Sequence, residues 1–459
     1  MTSFTDLTVS ETARAVRDCE VSPVELTQVL LDHISGLDSR LYAWETIDPE
    51  GALAEARRCE AAVTRGGVLG PLHGVPVGLK DIYYTAGLRT TMGSRVYRDF
   101  VPQQDAASVA RLRGAGAIVL GKTVTTEFAM GDPPRTRNPW NDAHTPGGSS
   151  SGSAVAVASR MCAFATGSQT AGSVIRPAAY NGVVGFKPTY GRVSRHGVFP
   201  VSWTLDTLGW MTRTVEDSAV VLDVLAGHDS RDSGCANLPY TSMAGDMETE
   251  GWSPRIGIVA GDFERSASAE TQAHTFTVIE ALRINGAVVE LLDLPISYLG
   301  IREAQLVIDY TETAAVHRDT HATRADEYGP NVRSRIESGE LIPAVAYAQA
   351  QRHRRKFRSD MDQTMLAVDA LIMPAATGPA PADLSSTGDP GFYSPWTVAG
   401  LPAITIPTGL SKSGLPLGVQ LVGKGFDDAT LLRTARWVES VLDFDPGVPP
   451  GARLPTPAT

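Results

Sequence analysis

Apolar residues recur at helical spacing near the start of the chain and in short continuous runs further along. Leu26, Val29, Leu30, His33 and Ile34 mark one face of a helix behind Ser22-Pro23-Val24-Glu25, which supplies a capping serine, a first-turn proline and a glutamate three residues on. Asp48-Pro49-Glu50 opens a second, alanine-rich helix that Gly66-Gly67 closes. Residues 1–70 are therefore expected to form a helical layer over one face of a sheet. Beyond them, strands are expected over 75–79, 118–120, 256–259, 288–292, 370–373, 403–406 and 418–422. Helices are expected over 106–112, 154–158, 269–282 and 429–442, with another starting at Thr214-Val215-Glu216-Asp217. Val183-Val184-Gly185-Phe186 adds a core-strand pattern, and the alternation is that of an α/β protein. Residues 320–365 are polar and contain no apolar strand, so a helical cap is expected to be inserted over 295–365. A Pro-rich tail occupies 446–459, no internal repeat is visible, and a single domain over 1–459 is expected.

Composition narrows the class. With 42% hydrophobic and 20% charged residues among 459, the chain can bury a large core and is not disordered. Its 40 basic and 51 acidic side chains leave a net charge of −11, which repels phosphate backbones and anionic membranes. Cys19, Cys59, Cys162 and Cys235 show no CxxC pairing and are read as reduced thiols. The first twenty residues lack a basic segment followed by an apolar run, and no stretch reaches the roughly 18 apolar residues of a membrane span. The expectation is a cytoplasmic monomer or homodimer acting on a small molecule, without nucleic acid, membrane, metal or cofactor.

Two familiar patterns fail on context. Gly116 to Thr123 fits the phosphate-loop spacing, but Ile118, Val119 and Leu120 fill its variable positions, and N–H groups paired in a strand cannot cradle phosphate. Gly148-Ser149-Ser150-Ser151-Gly152 fits a nucleophile elbow that would make Ser150 the nucleophile, yet 139–146 is an irregular, Pro-punctuated loop rather than the strand an elbow needs. No HExxH, zinc-spaced Cys/His cluster or GxGxxG is present, and His73, His144 and His196 lie in Gly/Pro-rich loops where a structural role is expected. What remains is side-chain chemistry. Two runs of Gly, Ser and Thr, 145–153 and 166–173, flank a short alanine-rich helix, which brings backbone close to something.

The ordered landmarks resemble the amidase signature family from Pro23 to about Leu442. They are Gly74-Val75-Pro76-Val77-Gly78-Leu79-Lys80-Asp81, Gly121-Lys122-Thr123 with Glu127-Phe128-Ala129, and Gly147-Gly148-Ser149-Ser150-Ser151-Gly152. Thr170-Ala171-Gly172-Ser173, Gly182 to Thr189, Leu205-Asp206-Thr207-Leu208-Gly209, Gly400-Leu401-Pro402-Ala403 and Gly414 to Gly418 continue them. The resemblance, which extends to fatty acid amide hydrolase, implies one α/β core on a central twisted, mixed sheet flanked by helices, plus the cap. It also implies a Ser, cis-Ser, Lys triad: Ser173 as acyl-forming nucleophile, Ser149 as the cis-serine bridge and Lys80 as base. The sequence departs from the commoner pattern in carrying Gln169 where many members have Asp, and in placing Arg176 one residue late.

Each implied role makes a physical demand. A serine hydroxyl needs a base within hydrogen-bond reach, and a lysine serves only when neutral, which requires burial away from carboxylates. Asp81 must therefore point elsewhere. The backbone N–H groups of Thr170, Ala171, Gly172 and Ser173 are the expected oxyanion donors, since small residues allow a tight turn. Tyr83, Tyr84, Phe128, Met130, Ile175, Trp203 and the inserted cap are the expected substrate contacts, suited to an uncharged group such as an aryl. The expected activity is hydrolysis of amides, anilides or carbamates through an acyl- or carbamoyl-enzyme. The alternative is the A subunit of a glutamyl-tRNA(Gln) amidotransferase, which would oblige a partner and RNA. The sequence Leu205 to Trp210 differs from the Leu-Asp-Gln-Ile-Gly-Pro usual there, and the acidic charge disfavours RNA contact.

Overall fold

In a computed structural model describing residues 4–243, 247–259 and 266–454, the apolar runs assemble into one eleven-stranded sheet. Its strands are β1 (Trp44–Ile47), β2 (Pro76–Lys80), β3 (Ile118–Thr123), β4 (Phe164–Gln169), β5 (Val184–Lys187) and β6 (Thr207–Thr212). They continue with β7 (Arg255–Val259), β8 (Val288–Leu292), β9 (Ala370–Pro374), β10 (Ala403–Leu410) and β11 (Pro416–Val422). The spatial order is β1-β3-β2-β4-β6-β5-β10-β11-β9-β7-β8. Parallel pairs β3/β2/β4 and β9/β7/β8 lie toward the two ends, and antiparallel pairs join them through the middle, so the sheet is mixed.

The first seventy residues depart from an all-helical layer. The helices Pro23–Leu41 and Pro49–Thr64 form, capped by Ser22 and Asp48. Between them β1 pairs antiparallel with β3 at the sheet edge, Trp44 against Thr123 and Ile47 against Gly121. Four residues are too few to show a period in the sequence. A further helix, Val9–Arg17, starts at a Thr8/Glu11 capping box.

Helices cover both faces. Val77, Leu79, Phe164, Leu208 and Trp210 belong to one core cluster, while Ala165, Val174 and Met211 pack with Ile34, Leu37 and the Ser151–Ala158 helix in another. The helices Ile301–Arg324, Pro330–Glu340 and Ala344–Thr364 occupy the region expected as a cap. The Glu312 carboxylate accepts from the Ser202 hydroxyl at 2.5 Å and the Thr204 N–H at 2.9 Å, and Glu127 accepts from the Gly329 N–H at 2.7 Å. These contacts bind the first two of the helices to the loops that follow β5 and β3. Of the Pro-rich tail, Pro450–Ala452 forms one short helical turn, and 455–459 lie outside the described residues. The four cysteines are free thiols, and no described helix is long and apolar enough to cross a membrane.

Candidate active site

Strand β2 ends in Lys80 with every residue buried, because β3 and β4 flank it on both sides. The Lys80 side chain is sealed from solvent and reaches the Ser149 Oγ at 2.7 Å and the Ser168 Oγ at 2.9 Å. Burial pulls its ammonium well below the ordinary lysine range, and the one opposing charge is the carboxylate of Asp206. Asp81, next along the chain, turns away: Oδ2 accepts from the N–H and the hydroxyl of Thr91, and Oδ1 lies 3.9 Å from Lys122.

Ser149 follows a cis peptide from Gly148, in a loop where Gly147 has φ +76° and a side chain there would press on Pro177. Arg176 Nη2 donates to the Gly148 carbonyl at 2.7 Å, and its other nitrogen donates to the Gly388 carbonyl at 2.8 Å. The late arginine thus braces the loop that carries Ser149. Ser150 donates its N–H to the Ser173 carbonyl at 3.3 Å, which ties the two serine segments together. The Ser173 hydroxyl makes no hydrogen bond among the described residues.

The turn from Thr170 to Ser173 is held on both flanks. Gln169 Oε1 accepts from the N–H groups of Val174 at 2.9 Å and Ile175 at 3.1 Å, while its Nε2 donates to Thr397 Oγ1. Thr397 in turn donates to the Ala171 carbonyl. On the other flank, Asp206 Oδ1 accepts from the Thr170 hydroxyl at 2.6 Å and Oδ2 from the N–H groups of Val201 and Ser202. Burial pushes the Asp206 carboxyl up to about 6 against these donors. Gly172 lies flat on the ring of Tyr393, where a Cβ would come within 2.3 Å of a ring carbon. The four N–H groups from Thr170 to Ser173 find no protein acceptor among the described residues.

A pocket of about 260 Å³ opens beside this cluster, with Ser168 and Asp206 at its floor and Ile82, Val198, Phe199 and Leu208 in its walls. Trp203, 46% exposed, stands at its rim. The other expected substrate contacts are placed differently. Tyr83 is buried with its hydroxyl donating to the Gly167 carbonyl, Phe128 packs among Tyr97, Phe199, His317 and Tyr328, and Met130 and Ile175 are buried in core clusters. None of these four is among the residues that line this pocket. Tyr84 packs edge-on against Phe100. Three further residues belong to the site, and the sequence marks them weakly. Asp206 lies inside one of the ordered landmarks and Ser168 inside a Gly/Ser run, whereas Thr397 carries no signal at all.

The two patterns that fail on context are also located. Lys122 sits in β3 and donates to the Tyr83 carbonyl, Thr85 and Thr90, so no phosphate loop exists there. Ser150 is fully buried behind Ser168 rather than presented on an elbow. His73 and His144 bond to the carbonyls of Cys59 and Ala380.

A buried lysine, neighbouring serines and a braced turn on a mixed sheet are the parts of an amide hydrolase, and the chain matches the amidase family over residues 25–432. It belongs to that family. It is 36% identical over 484 residues to the A subunit of glutamyl-tRNA(Gln) amidotransferase from Roseiflexus castenholzii, covering 98% of both chains. Among solved structures it is similar to native peptide amidase from Stenotrophomonas maltophilia (31% identity, 99% of each chain, TM-score 0.88). It is also similar to 6-aminohexanoate cyclic dimer hydrolase (26% identity, 99% of this chain and 100% of that one, TM-score 0.89). The protein is an amide-hydrolysing enzyme acting on C–N bonds.

Proposed function

We propose that this chain hydrolyses small, uncharged amides, anilides or carbamates through an acyl-enzyme on Ser173. Ser149 passes the Ser173 proton to Lys80 and returns it to the leaving nitrogen, since a hydroxyl donates and accepts at once. The observation that carries the reading is the sealed Lys80, 2.7 Å from Ser149, with no carboxylate in contact. A lysine so placed gives up its proton far more readily than one in water and, once neutral, can accept the proton of a serine. The Ser149 to Ser173 bond would close when substrate fills the site, since catalytic hydrogen bonds tighten in the complex. The carbonyl oxygen of the substrate would lie against the unpaired N–H groups of the 170–173 turn, where losing one such donor costs about 3 kcal/mol of barrier. The pocket rimmed by Trp203 would take an apolar group. Its two arginines are already neutralised, Arg195 by Asp232 and Arg231 by Asp229.

Mass spectrometry after reaction with a panel of amides, anilides, esters and carbamates tests this. The expected result is an acyl adduct on Ser173 and no turnover by Ser173→Ala; an adduct on Ser150, or wild-type rates from Ser173→Ala, overturns it. The likeness to the amidotransferase component supports one other reading, a member of such a complex. Turnover of a simple anilide by the purified lone chain decides against that reading.

A further inference from the structure

Lys80 has a neighbour that a two-serine relay leaves unused. Its Nζ lies 2.9 Å from the Ser168 hydroxyl and 3.5 Å from the carbonyl of the same residue. Ser168 stands one residue before the end of β4, opposite Leu208 of β6, and is one of the residues that line the pocket. We infer that Ser168 is a positioning residue for the base, resting on the triad reading above: by accepting an N–H from Lys80 it turns the lone pair of the neutral amine toward Ser149.

A count of hydrogens leads there. Neutral lysine offers two N–H donors and one lone pair, and three oxygens surround Nζ. The Ser168 carbonyl can only accept, so it takes one N–H. With the Ser168 hydroxyl taking the other, the lone pair is left for the Ser149 O–H, as proton abstraction from Ser173 demands. With the Ser168 hydroxyl as donor instead, Ser149 would receive an N–H and the relay would have no acceptor. Position breaks the tie. Ser168, 5% exposed, is among the residues lining the pocket, where its hydroxyl can donate to solvent or substrate, whereas Ser149 is 1% exposed and has Lys80 as its hydroxyl's partner among the described residues.

Ser168 is itself held in place. Its N–H donates to Ser150 Oγ at 3.4 Å, and that hydroxyl lies 3.5 Å from the Ser168 carbonyl. The charges around Lys80 leave its orientation to these hydroxyls. Asp206 acts on it through space while bonded to Thr170, Val201 and Ser202; Asp81 faces Thr91 and Lys122; Arg176 is spent on the Gly148 carbonyl.

The test compares Ser168→Ala and Ser168→Thr in the full chain, with Ser173→Ala as the check on the triad. Ser168→Ala is expected to stay folded and to lose about 100-fold in kcat, the scale of a misplaced catalytic group. The rising limb of its pH–rate profile should move to lower pH, because a lost acceptor no longer favours the lysine ammonium. Ser168→Thr should restore both. A Ser168→Ala enzyme with wild-type kcat and pH limb, beside an inactive Ser173→Ala, overturns the inference and leaves the triad standing. A lowered kcat with an unmoved limb and no rescue by threonine marks a merely structural role and overturns it as well. An active Ser173→Ala overturns the triad itself.

Discussion

Lys80 and Lys122 sit on adjacent parallel strands, one step apart in register, both fully buried. Burial pulls both ammonium groups down, but their partners differ. Lys122 lies within 3.9 Å of Asp81 and donates to a carbonyl and two threonine hydroxyls. Mutual attraction opposes what burial does to each member of that pair, and Lys122 reads as a structural ion. Lys80 has hydroxyls in direct contact and a carboxylate only at a distance. A third buried lysine, Lys187 in β5, donates to the carbonyls of Pro188 and Leu401, and burial brings it down to about 7. Carbonyls cannot return a proton. Depth alone therefore does not make a base; a hydroxyl partner that can give and take a proton, with no carboxylate in contact to hold the lysine charged, does.

The sharpest way to break this comparison is to remove each lysine in turn. Lys80→Met keeps the stem but no acceptor, and kcat is expected to fall by about 10³-fold or more in a folded protein. In wild type, the rate should rise with pH through the lowered pKa of Lys80 and be highest on the neutral to alkaline side. The stability sign is opposite to that of an ion pair. Because the unfolded chain holds the lysine proton more tightly, wild-type stability rises with pH between the folded and unfolded pKa values and is lost below them. Lys80→Met should flatten that rise in urea unfolding followed at several pH values.

Lys122→Met leaves Asp81 buried without its cation, so about 3 kcal/mol of unfolding free energy should be lost, with turnover per folded molecule largely kept. Denaturant midpoints and active-site titration together read both quantities. If Lys122→Met instead abolishes turnover without destabilising, the roles assigned to the two lysines are wrong.

Asp206→Asn sharpens the electrostatic half. Removing the negative charge that favours protonated Lys80 should shift the rising limb of the pH–rate profile to lower pH, along with a loss of kcat from a slackened 170–173 turn. An unmoved limb would show that the carboxylate does not act on Lys80. Smallest of all, His73→Ala and His144→Ala should each change kcat/KM by no more than about threefold, since both rings bond to backbone carbonyls, while His196→Ala, at the pocket wall, should retain substantial kcat. A pH profile that follows one of them would exclude lysine as the base.

Much of the site was legible along the chain. Ser149, Ser173 and Lys80 stand in motifs whose order is specific, and Lys80, just after the apolar run 75–79, is the last residue of a strand that formed one residue later than that run. Other parts were not. β4, Phe-Ala-Thr-Gly-Ser-Gln, has little strand character, and only burial between β2 and β6 makes it one. Ser168 was hidden with it. Tyr83, Phe128, Met130 and Ile175, expected to bind substrate, are all buried, and burial alone does not separate a packing side chain from one that meets substrate.

The sequence by itself determined the family, the alternation of helix and strand, and which three side chains are candidates to react, because these rest on local pattern and on residue types that chemistry cannot replace. The tertiary structure alone decided which of three buried lysines meets serine hydroxyls with no carboxylate in contact, which is paired with a carboxylate, and which meets only carbonyls. It also decided that a neutral Gln169 and a distant Thr397 brace the turn, that Arg176 serves the Ser149 loop, and that the pocket is walled by the 196–208 segment. These depend on groups brought together from strands and loops far apart in the chain, and electrostatic character is set by such neighbours rather than by residue type.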